Sequence, residues 1–190
     1  MQSLLDIIGA TIIGGLLMIT MFTSMITIQE NNTLLRGEMQ VINDLEYISN
    51  LIDSYYMDKI GYELPGAMEA FPLAQSNSIW FNTKVDVGDE SIYLVKISTG
   101  PEETGLGYPL TIEWAGMPTV GPIYLGAPIE IEYYDVNGNV LIDAALVAAP
   151  IRANIRSVQI ELTVYHGEYG TDTMRSRALV FRKYFPNLAI

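Results

Sequence analysis

Residues 7–29 read IIGATIIGGLLMITMFTSMITIQ, an apolar run that contains no charged side chain. As a helix with a rise of about 1.5 Å per residue, this run is long enough to cross the hydrocarbon core of a bilayer, which is about 30 Å thick. No basic residue precedes the run, and no small-residue cleavage site follows it. We therefore expect a retained helix rather than a secretory signal peptide, which has a positive start and a shorter core.

The helical pattern continues beyond this run as an amphipathic stretch. Its apolar residues recur mostly at intervals of three and four, a spacing that places them on one face of a helix: Leu34, Val41, Leu45, Ile48, Ile52 and Tyr55. The pattern predicts a helix from Leu4 to Tyr56, after which Gly61, Pro65 and Gly66 open a loop. Such an element would be roughly 80 Å long. A small domain cannot cover that length, so much of the helix must pack on something else.

From residue 78 onwards the hydrophobic period changes to two, which is typical of β-strands. The stretches 78–87 and 90–99 predict a hairpin around Gly88 and Asp89. A second hairpin is predicted at residues 135–140, which read DVNGNV, because Asn-Gly is a strong signal for a tight turn between strands. Further strands are predicted over 108–115, 122–125, 128–135, 154–166 and 175–185.

These patterns predict an α+β fold in two parts. The first is an N-terminal helix over residues 1–58, in which 1–29 form the membrane or filament-core segment and 30–58 form an amphipathic segment that packs on the head. The second is an antiparallel, β-rich head domain over residues 59–190. The head is long enough to enclose one hydrophobic core of its own.

The composition excludes several classes of function. The chain has 190 residues, no cysteine and a formal net charge of −12. Without cysteine there are no disulfides and no thiolate metal sites. The acidic balance argues against nucleic acid as a partner, because phosphate binding requires clusters of lysine and arginine.

The sequence also offers little for enzyme chemistry. His166 is the single histidine, which excludes a metal motif with two histidines, and there is no cysteine nucleophile. Glu102 and Glu103 form a loop pair without a neighbour that would make them an acid–base couple. Asp135 starts a segment similar to a calcium loop, but glycine comes too early and no glutamate closes it, so a hairpin turn is favoured. We expect no enzymatic activity, no catalytic residue, no metal and no cofactor.

Two parts of the chain resemble the type IV pilin superfamily, which includes the pseudopilins of type II secretion. The N-terminal MQSLLDIIGATIIGG is similar to the start of a mature pilin, an apolar segment with an acid near its fifth position, here Asp6. The C-terminal half resembles large minor pilins and J-type pseudopilins. Its matching stretches are IEIEYYDVNGNVL at 129–141, IRSVQIELTV at 155–164 and ALVFRKYF at 178–185.

The resemblance implies a structural subunit of an extracellular helical filament with a role in cell adhesion. Identical copies would polymerise through their N-terminal helices, and the β-rich head would coat the outside. Before assembly the subunit would sit in the inner membrane, with its head outside the cytoplasm and residues 1–3 inside or cleaved free. Its partners would be other copies of itself and the pilus assembly machinery of the membrane.

The resemblance further implies that Asp6 pairs with the α-amino group of Met1 in a neighbouring subunit and so sets the axial stagger. Within a straight helix these two groups are about 7–8 Å apart along the axis, too far for direct contact. The alternative is that Asp6 lies at the level of the lipid headgroups, or favours the helix dipole near the N-terminus. Both interpretations account for an acid at this position.

Gly9, Gly14 and Gly15 lie in the apolar segment. Small residues let helices approach closely in an apolar setting, although each glycine weakens the helix by roughly 1 kcal/mol. They favour either tight packing between helices or a segment that melts locally in a filament. An ordinary membrane anchor that tolerates glycine is the simpler alternative.

Basic residues concentrate near the C-terminus, whereas the N-terminal helix is acidic. An electrostatic match between one subunit and its neighbour would use these basic residues, and the alternative is that they are solvated on strand faces: Arg152, Arg156, Arg175, Arg177, Arg182 and Lys183. Two other functions also remain open. One is a minor pilin or pseudopilin at a filament tip, and the other is a single-span anchored β-domain that binds a partner without polymerising.

Overall fold

The protein is described by a computed structural model that covers residues 2–61, 64–65, 68–84, 90–142, 146, 148–172, 174–185 and 188. The chain divides into two compact units, Met1–Gln40 and Val41–Ile190. The described part of the first unit is entirely helical. The second contains the rest of the helix and every described β-strand.

The predicted long helix is present, and it ends slightly later than predicted. Helix α1 spans Gln2–Asn50, and the chain continues as a π-helical turn over Leu51–Tyr56 and a 3₁₀ turn over Met57–Lys59. Gly61 follows with a φ of 72°, a left-handed conformation that glycine adopts without steric cost. The predicted stop at this glycine is therefore confirmed.

Most of the predicted apolar stripe is buried in the second unit, including Val41 and Ile52. Tyr55 was wrongly placed on it: its side chain is 50 % exposed, whereas Tyr56 is only 4 % exposed. The π-helical turn explains the exchange, because it holds more residues per turn than an α-helix and moves the buried face one residue along the chain. Leu34 is also exposed, and it belongs to the first unit, which has no strand among its described residues.

Antiparallel strands form two sheets, as the α+β prediction requires. The first sheet has the order β1-β2-β3-β4-β5, built from Leu73–Gln75, Ser78–Thr83, Tyr93–Thr99, Tyr108–Trp114 and Val120–Leu125. The second has the order β7-β6-β8-β9, in which β6 is Glu130–Tyr134, β7 is Val140–Leu141, β8 is Ser157–His166 and β9 is Arg175–Tyr184. Strand β1 and the short helix α2, Ala149–Arg152, are too short to show a period and were not predicted.

The structure describes the turn of only one of the two predicted hairpins. Strands β2 and β3 pair as expected, with Ser78 opposite Ser98, but Gly88 and Asp89 lie outside the described residues. Strands β6 and β7 pair around the Asn-Gly turn, where Gly138 has a φ of 81°. That second hairpin is confirmed.

One hydrophobic core joins both sheets to the end of the helix. Ile52 and Met57 contribute from the helical turns, and alternate residues of β8 point into the same core: Val158, Ile160, Leu162 and Val164. Tyr133 adds a polar link, because its hydroxyl donates to the backbone oxygens of Gln75 at 3.0 Å and Ser78 at 3.2 Å. This hydroxyl is buried between the sheets with its hydrogen bonds satisfied.

Candidate assembly surface

The first unit exposes an unusual amount of apolar surface. Its apolar segment has a mean hydropathy of 2.1, and none of the most apolar window is buried. Within the described residues, this is the one helix long and apolar enough to cross a membrane, and it could anchor the chain there. Isolated exposed apolar residues are common, but a large exposed apolar surface is typical of a site that a membrane or another protein surface covers.

The threonines of this helix satisfy their hydroxyl groups internally. Each hydroxyl donates to a backbone oxygen three or four residues earlier at 2.8–3.0 Å: Thr11, Thr20, Thr23, Thr27 and Thr33. A hydroxyl bonded in this way needs no water and no second partner. The helix surface can therefore enter an apolar environment without leaving these donors unpaired.

The three predicted assembly glycines do not share one face of the helix. Helix α1 runs unbroken through Gly9, Gly14 and Gly15, and an added Cβ at each would meet no neighbouring atom within 4 Å. At about 100° per residue, the three positions point in three different directions. Gly14 instead lines up with Ala10 and Asp6, four and eight residues earlier, in the small-xxx-small spacing that favours close helix packing.

Asp6 is exposed on the first turns of α1. It forms no ion pair with another residue in the described part of the chain. Met1 lies outside the described residues, so its pairing with Asp6 of a neighbour stays a prediction. The carboxylate is accessible to a group from another copy.

Exposed apolar residues also occur beyond the predicted membrane segment. Leu35 is 58 % exposed and Met39 is 67 % exposed, and Leu34 beside them is also exposed. Leu35 and Met39 follow Gln29 by six and ten residues, which places them about 9 and 15 Å further along the helix axis. A bilayer that covers residues 7–29 leaves both in water. The predicted apolar stripe does not include Leu35 and Met39, and their position off that stripe is the sequence signal that predicts their exposure.

The basic residues considered for intersubunit contacts have partners within the second unit, and two of them, Arg156 and Arg175, donate to backbone oxygens close by in the chain. Lys183 forms ion pairs with Asp53 at 3.0 Å and with Asp58. Arg152 pairs with Glu69 at 2.8 Å. Arg182 donates to the Ser157 hydroxyl and stacks on the Tyr134 ring, 3.7 Å from its centroid. The acidic partners of Lys183, Asp53 and Asp58, thus come from the helical turns of the same chain.

Lys183 also predicts a pH dependence. Burial by itself lowers the pKa of its amine, but hydrogen bonds and attraction from Asp58 and Asp53 outweigh burial and raise the pKa above 10.5. A raised pKa gives stability that is fully present below the unfolded-state pKa and is lost as the pH rises through the folded-state pKa. We expect Lys183→Met to lower the free energy of unfolding by about 1 kcal/mol at pH 8, since the pairs are partly exposed.

That difference between wild type and Lys183→Met should shrink above pH 10.5 in urea titrations. Arg175→Met is the matched control, because this arginine of the same strand donates to the backbone oxygens of Asp172 and Met174. Its effect should be small at every pH. A Lys183→Met difference that stays constant up to pH 12 would contradict the assignment.

Asp135, one of the residues considered for metal or acid–base chemistry, is engaged in the contacts of a turn. The Asp135 carboxylate accepts hydrogen bonds from the backbone of Asn137 and Asn139, both at 2.8 Å, and from the Asn139 side chain. These bonds lower the pKa of the Asp135 carboxyl, and the bond from the Asn139 side chain has the largest effect. They are the contacts of a hairpin turn. His166 is exposed at the end of β8.

The loop pair Glu102 and Glu103 is bound by tyrosines. The Tyr124 hydroxyl donates to Glu103 at 2.9 Å, and the Tyr108 hydroxyl donates to Glu102 at 3.4 Å. Within the ranges that the structure describes, no group of three or more histidine, aspartate or glutamate side chains could hold a metal ion. The arrangement is that of a loop held on the sheet by hydrogen bonds.

Comparison with known proteins found no matching family model, no similar characterised protein and no similar solved structure. The resemblance to pilins therefore rests on the sequence stretches quoted above. What the structure adds is the physical character of the helix surface, which is apolar and exposed.

Proposed function

We propose that this chain is the repeating structural subunit of a type IV pilus-like helical filament, which polymerises through its N-terminal helices. The observation that carries the proposal is the exposed apolar surface of the helix, which runs from Leu4 to Ile28 and resumes at Leu34, Leu35 and Met39, beyond what a bilayer covers. Helices of identical copies would cover this surface along its whole length. The proposal also agrees with the pilin-like start of the sequence.

The driving force is the burial of apolar side chains. Full burial of one leucine, isoleucine or methionine is worth about 1.5–3 kcal/mol relative to water. A helix with this many exposed apolar side chains cannot remain in water, and a membrane leaves Leu35 and Met39 uncovered. Packing between helices would cover the apolar run of residues 7–29 and also Leu35 and Met39.

The same helix explains the state before assembly. The apolar segment would hold each subunit in the inner membrane until the pilus assembly machinery transfers it into the growing filament. The second unit carries its own core and both sheets, so it would remain folded during the transfer and coat the filament surface. Other copies of the chain are thus its main partners.

Two other functions fit parts of the same surface. A minor pilin or pseudopilin would use the same helix at a filament tip, with few copies per filament. A single-span anchored β-domain would use only residues 7–29. An anchored monomer leaves Leu35 and Met39 in water, and this exposure favours the polymer over the anchor.

The decisive experiment is electron microscopy of material sheared from the cell surface, with mass spectrometry of its N-terminus. We expect filaments composed mainly of this chain, and the terminal residue identifies the amine that faces Asp6. Trace amounts of the chain in filaments of another protein would support the tip function. A chain that stays in the membrane fraction and enters no filament would support the anchored β-domain.

Asp6 provides a sharper prediction. We expect Asp6→Ala to reduce the amount of filament at least about tenfold while the chain still enters membranes. The reason is that the amine of the neighbour would be buried without its partner, which costs more than the 1.4 kcal/mol equivalent to tenfold. The yield of sheared filaments, relative to the membrane-bound chain, measures this effect.

Two further variants control for general effects on the helix. Asp6→Glu keeps the charge and should restore part of the filament yield. Glu30→Ala removes an exposed acid near the end of the apolar run and should leave the yield unchanged. Wild-type yield from Asp6→Ala would show that Asp6 makes no pairing needed for assembly.

A further inference from the structure

A small cavity lies in the second unit, where the loop after the helix meets α2 and the start of β8. Its volume is about 250 Å³. Four apolar side chains form part of its wall: Leu64, Met68, Phe71 and Leu188. Three charged side chains line the same cavity: Glu69, Arg152 and Arg156. A concave site that combines apolar walls with a few charged groups is the usual setting for a small-molecule ligand, and this volume suits a small one.

The charges of Glu69 and Arg152 compensate each other. The Arg152 Nη2 lies 2.8 Å from a carboxylate oxygen of Glu69, and the Arg152 Nε donates to the same oxygen at 3.0 Å. Nε also donates to the backbone oxygen of Phe71, and Nη1 donates to that of Leu146. With this pair neutral, the net charge of the three side chains is the positive charge of Arg156.

The guanidinium group of Arg156 is anchored through one of its three nitrogens. Its Nη1 donates to the backbone oxygens of Ala153 at 2.8 Å and Ile155 at 2.9 Å. Within the described part of the chain, its Nε and Nη2 have no hydrogen-bond partner and the side chain forms no ion pair. The Nε–H and one Nη2–H leave the same edge of the planar group side by side, and such an edge binds both oxygens of a carboxylate.

We propose that this cavity binds a small organic carboxylate, whose two oxygens accept hydrogen bonds from Nε and Nη2 of Arg156 and whose apolar chain lies against Leu64 and Met68. A single negative charge matches the single uncompensated charge of the site. Because Nη1 is already anchored, the guanidinium loses little freedom when the ligand binds. The proposal concerns the second unit alone and does not depend on polymerisation.

Inorganic phosphate suits the same edge of the arginine but matches the rest of the cavity less well. It has no chain to place against the apolar wall. Its second negative charge would also lie in a cavity that the Glu69 carboxylate lines. A carboxylate with a short apolar chain is therefore the class of ligand that the whole cavity favours.

The test follows methyl signals by NMR in the full-length chain, solubilised in detergent and isotopically labelled at its methionine methyl groups. We expect sodium butyrate to shift the Met68 signal until it saturates, and to leave Met117, between β4 and β5, unchanged. Sodium chloride and butylammonium chloride should shift neither signal. Butyrate should bind about tenfold more tightly than acetate, because it buries two further methylene groups.

Variants of Arg156 assign the anion to this side chain. Arg156→Met should abolish the butyrate shift of Met68. Arg156→Lys should weaken binding at least about tenfold, because lysine keeps the charge but lacks the bidentate edge. Arg175→Met is the matched control, since Arg175 also donates its Nη1 to two backbone oxygens but does not line the cavity. This control should bind butyrate as wild type does.

A second variant keeps the proposal testable if Arg156→Met fails to fold. Leu64→Asp leaves Arg156 in place and adds a carboxylate to the wall of the cavity, which should compete with butyrate and abolish the shift of Met68. Undiminished butyrate binding in Leu64→Asp or in Arg156→Met would overturn the proposed site.

Two outcomes with the wild-type chain would also overturn the proposal. A Met68 signal that responds no more to butyrate than to sodium chloride would mean that Arg156 is merely solvated at the cavity. Tighter binding of inorganic phosphate than of butyrate would overturn the carboxylate as the class of ligand. Neither outcome bears on filament formation, which is measured separately.

Discussion

Replacing Met18 with lysine is expected to remove the chain from both membranes and filaments. Met18 lies at the middle of residues 7–29 and is exposed on the helix surface. A lysine at the centre of a membrane helix costs about 2.5–3.5 kcal/mol, which corresponds to a drop of roughly 100-fold in insertion. In a filament core the ammonium group would be buried without a partner, which is also strongly unfavourable.

Cell fractionation and filament yield measure this loss together. Asn50→Lys is the matched control, since it adds the same charge to an exposed position of the same helix beyond the apolar segment. It should leave both readouts close to wild type. Filaments of wild-type yield from Met18→Lys would show that this part of the helix is not in an apolar environment, and would remove the main support for the proposed polymer.

Truncating Ile52 to alanine is expected to lower the free energy of unfolding of the second unit by about 2–5 kcal/mol. Ile52 is fully buried in the core that joins the helical turns to both sheets. The large effect arises because the removed atoms leave a cavity as well as lost apolar contact. A loss of this size is a large fraction of the stability of an ordinary domain.

Urea denaturation of the detergent-solubilised chain would measure the change through tryptophan fluorescence. Both tryptophans, Trp80 and Trp114, lie in strands of the first sheet and report on the second unit alone. Val180→Ala removes a similar aliphatic side chain from a half-exposed position on β9 and should cost less than about 1 kcal/mol. An Ile52→Ala loss as small as that of the control would place the helical turns outside the core.

The proposed assembly surface follows almost entirely from local sequence. An apolar run of this length needs no tertiary contact to be recognised. What the run does not reveal is which apolar residues of the following stretch are covered. Leu34 looks like a member of the buried stripe, yet it is exposed, because burial depends on where the core begins.

The strand periods and turn residues likewise predict most of the second unit. Alternation along β8 and the Asn-Gly turn are local signals, since side-chain direction and turn geometry depend on neighbouring residues. Strand order is different. That β6 lies between β7 and β8, and that the sheets share a core through Tyr133, depends on contacts between distant residues.

The primary sequence thus specifies a long apolar helix and an antiparallel β-rich head. Long-range packing then selects details that no local pattern contains. The π-helical turn buries Tyr56 in place of Tyr55, and Lys183 pairs with Asp53 and Asp58 of its own chain. The physical reason is that periodicity reports the direction of a side chain along its own element, whereas burial and ion pairing depend on which other element lies opposite.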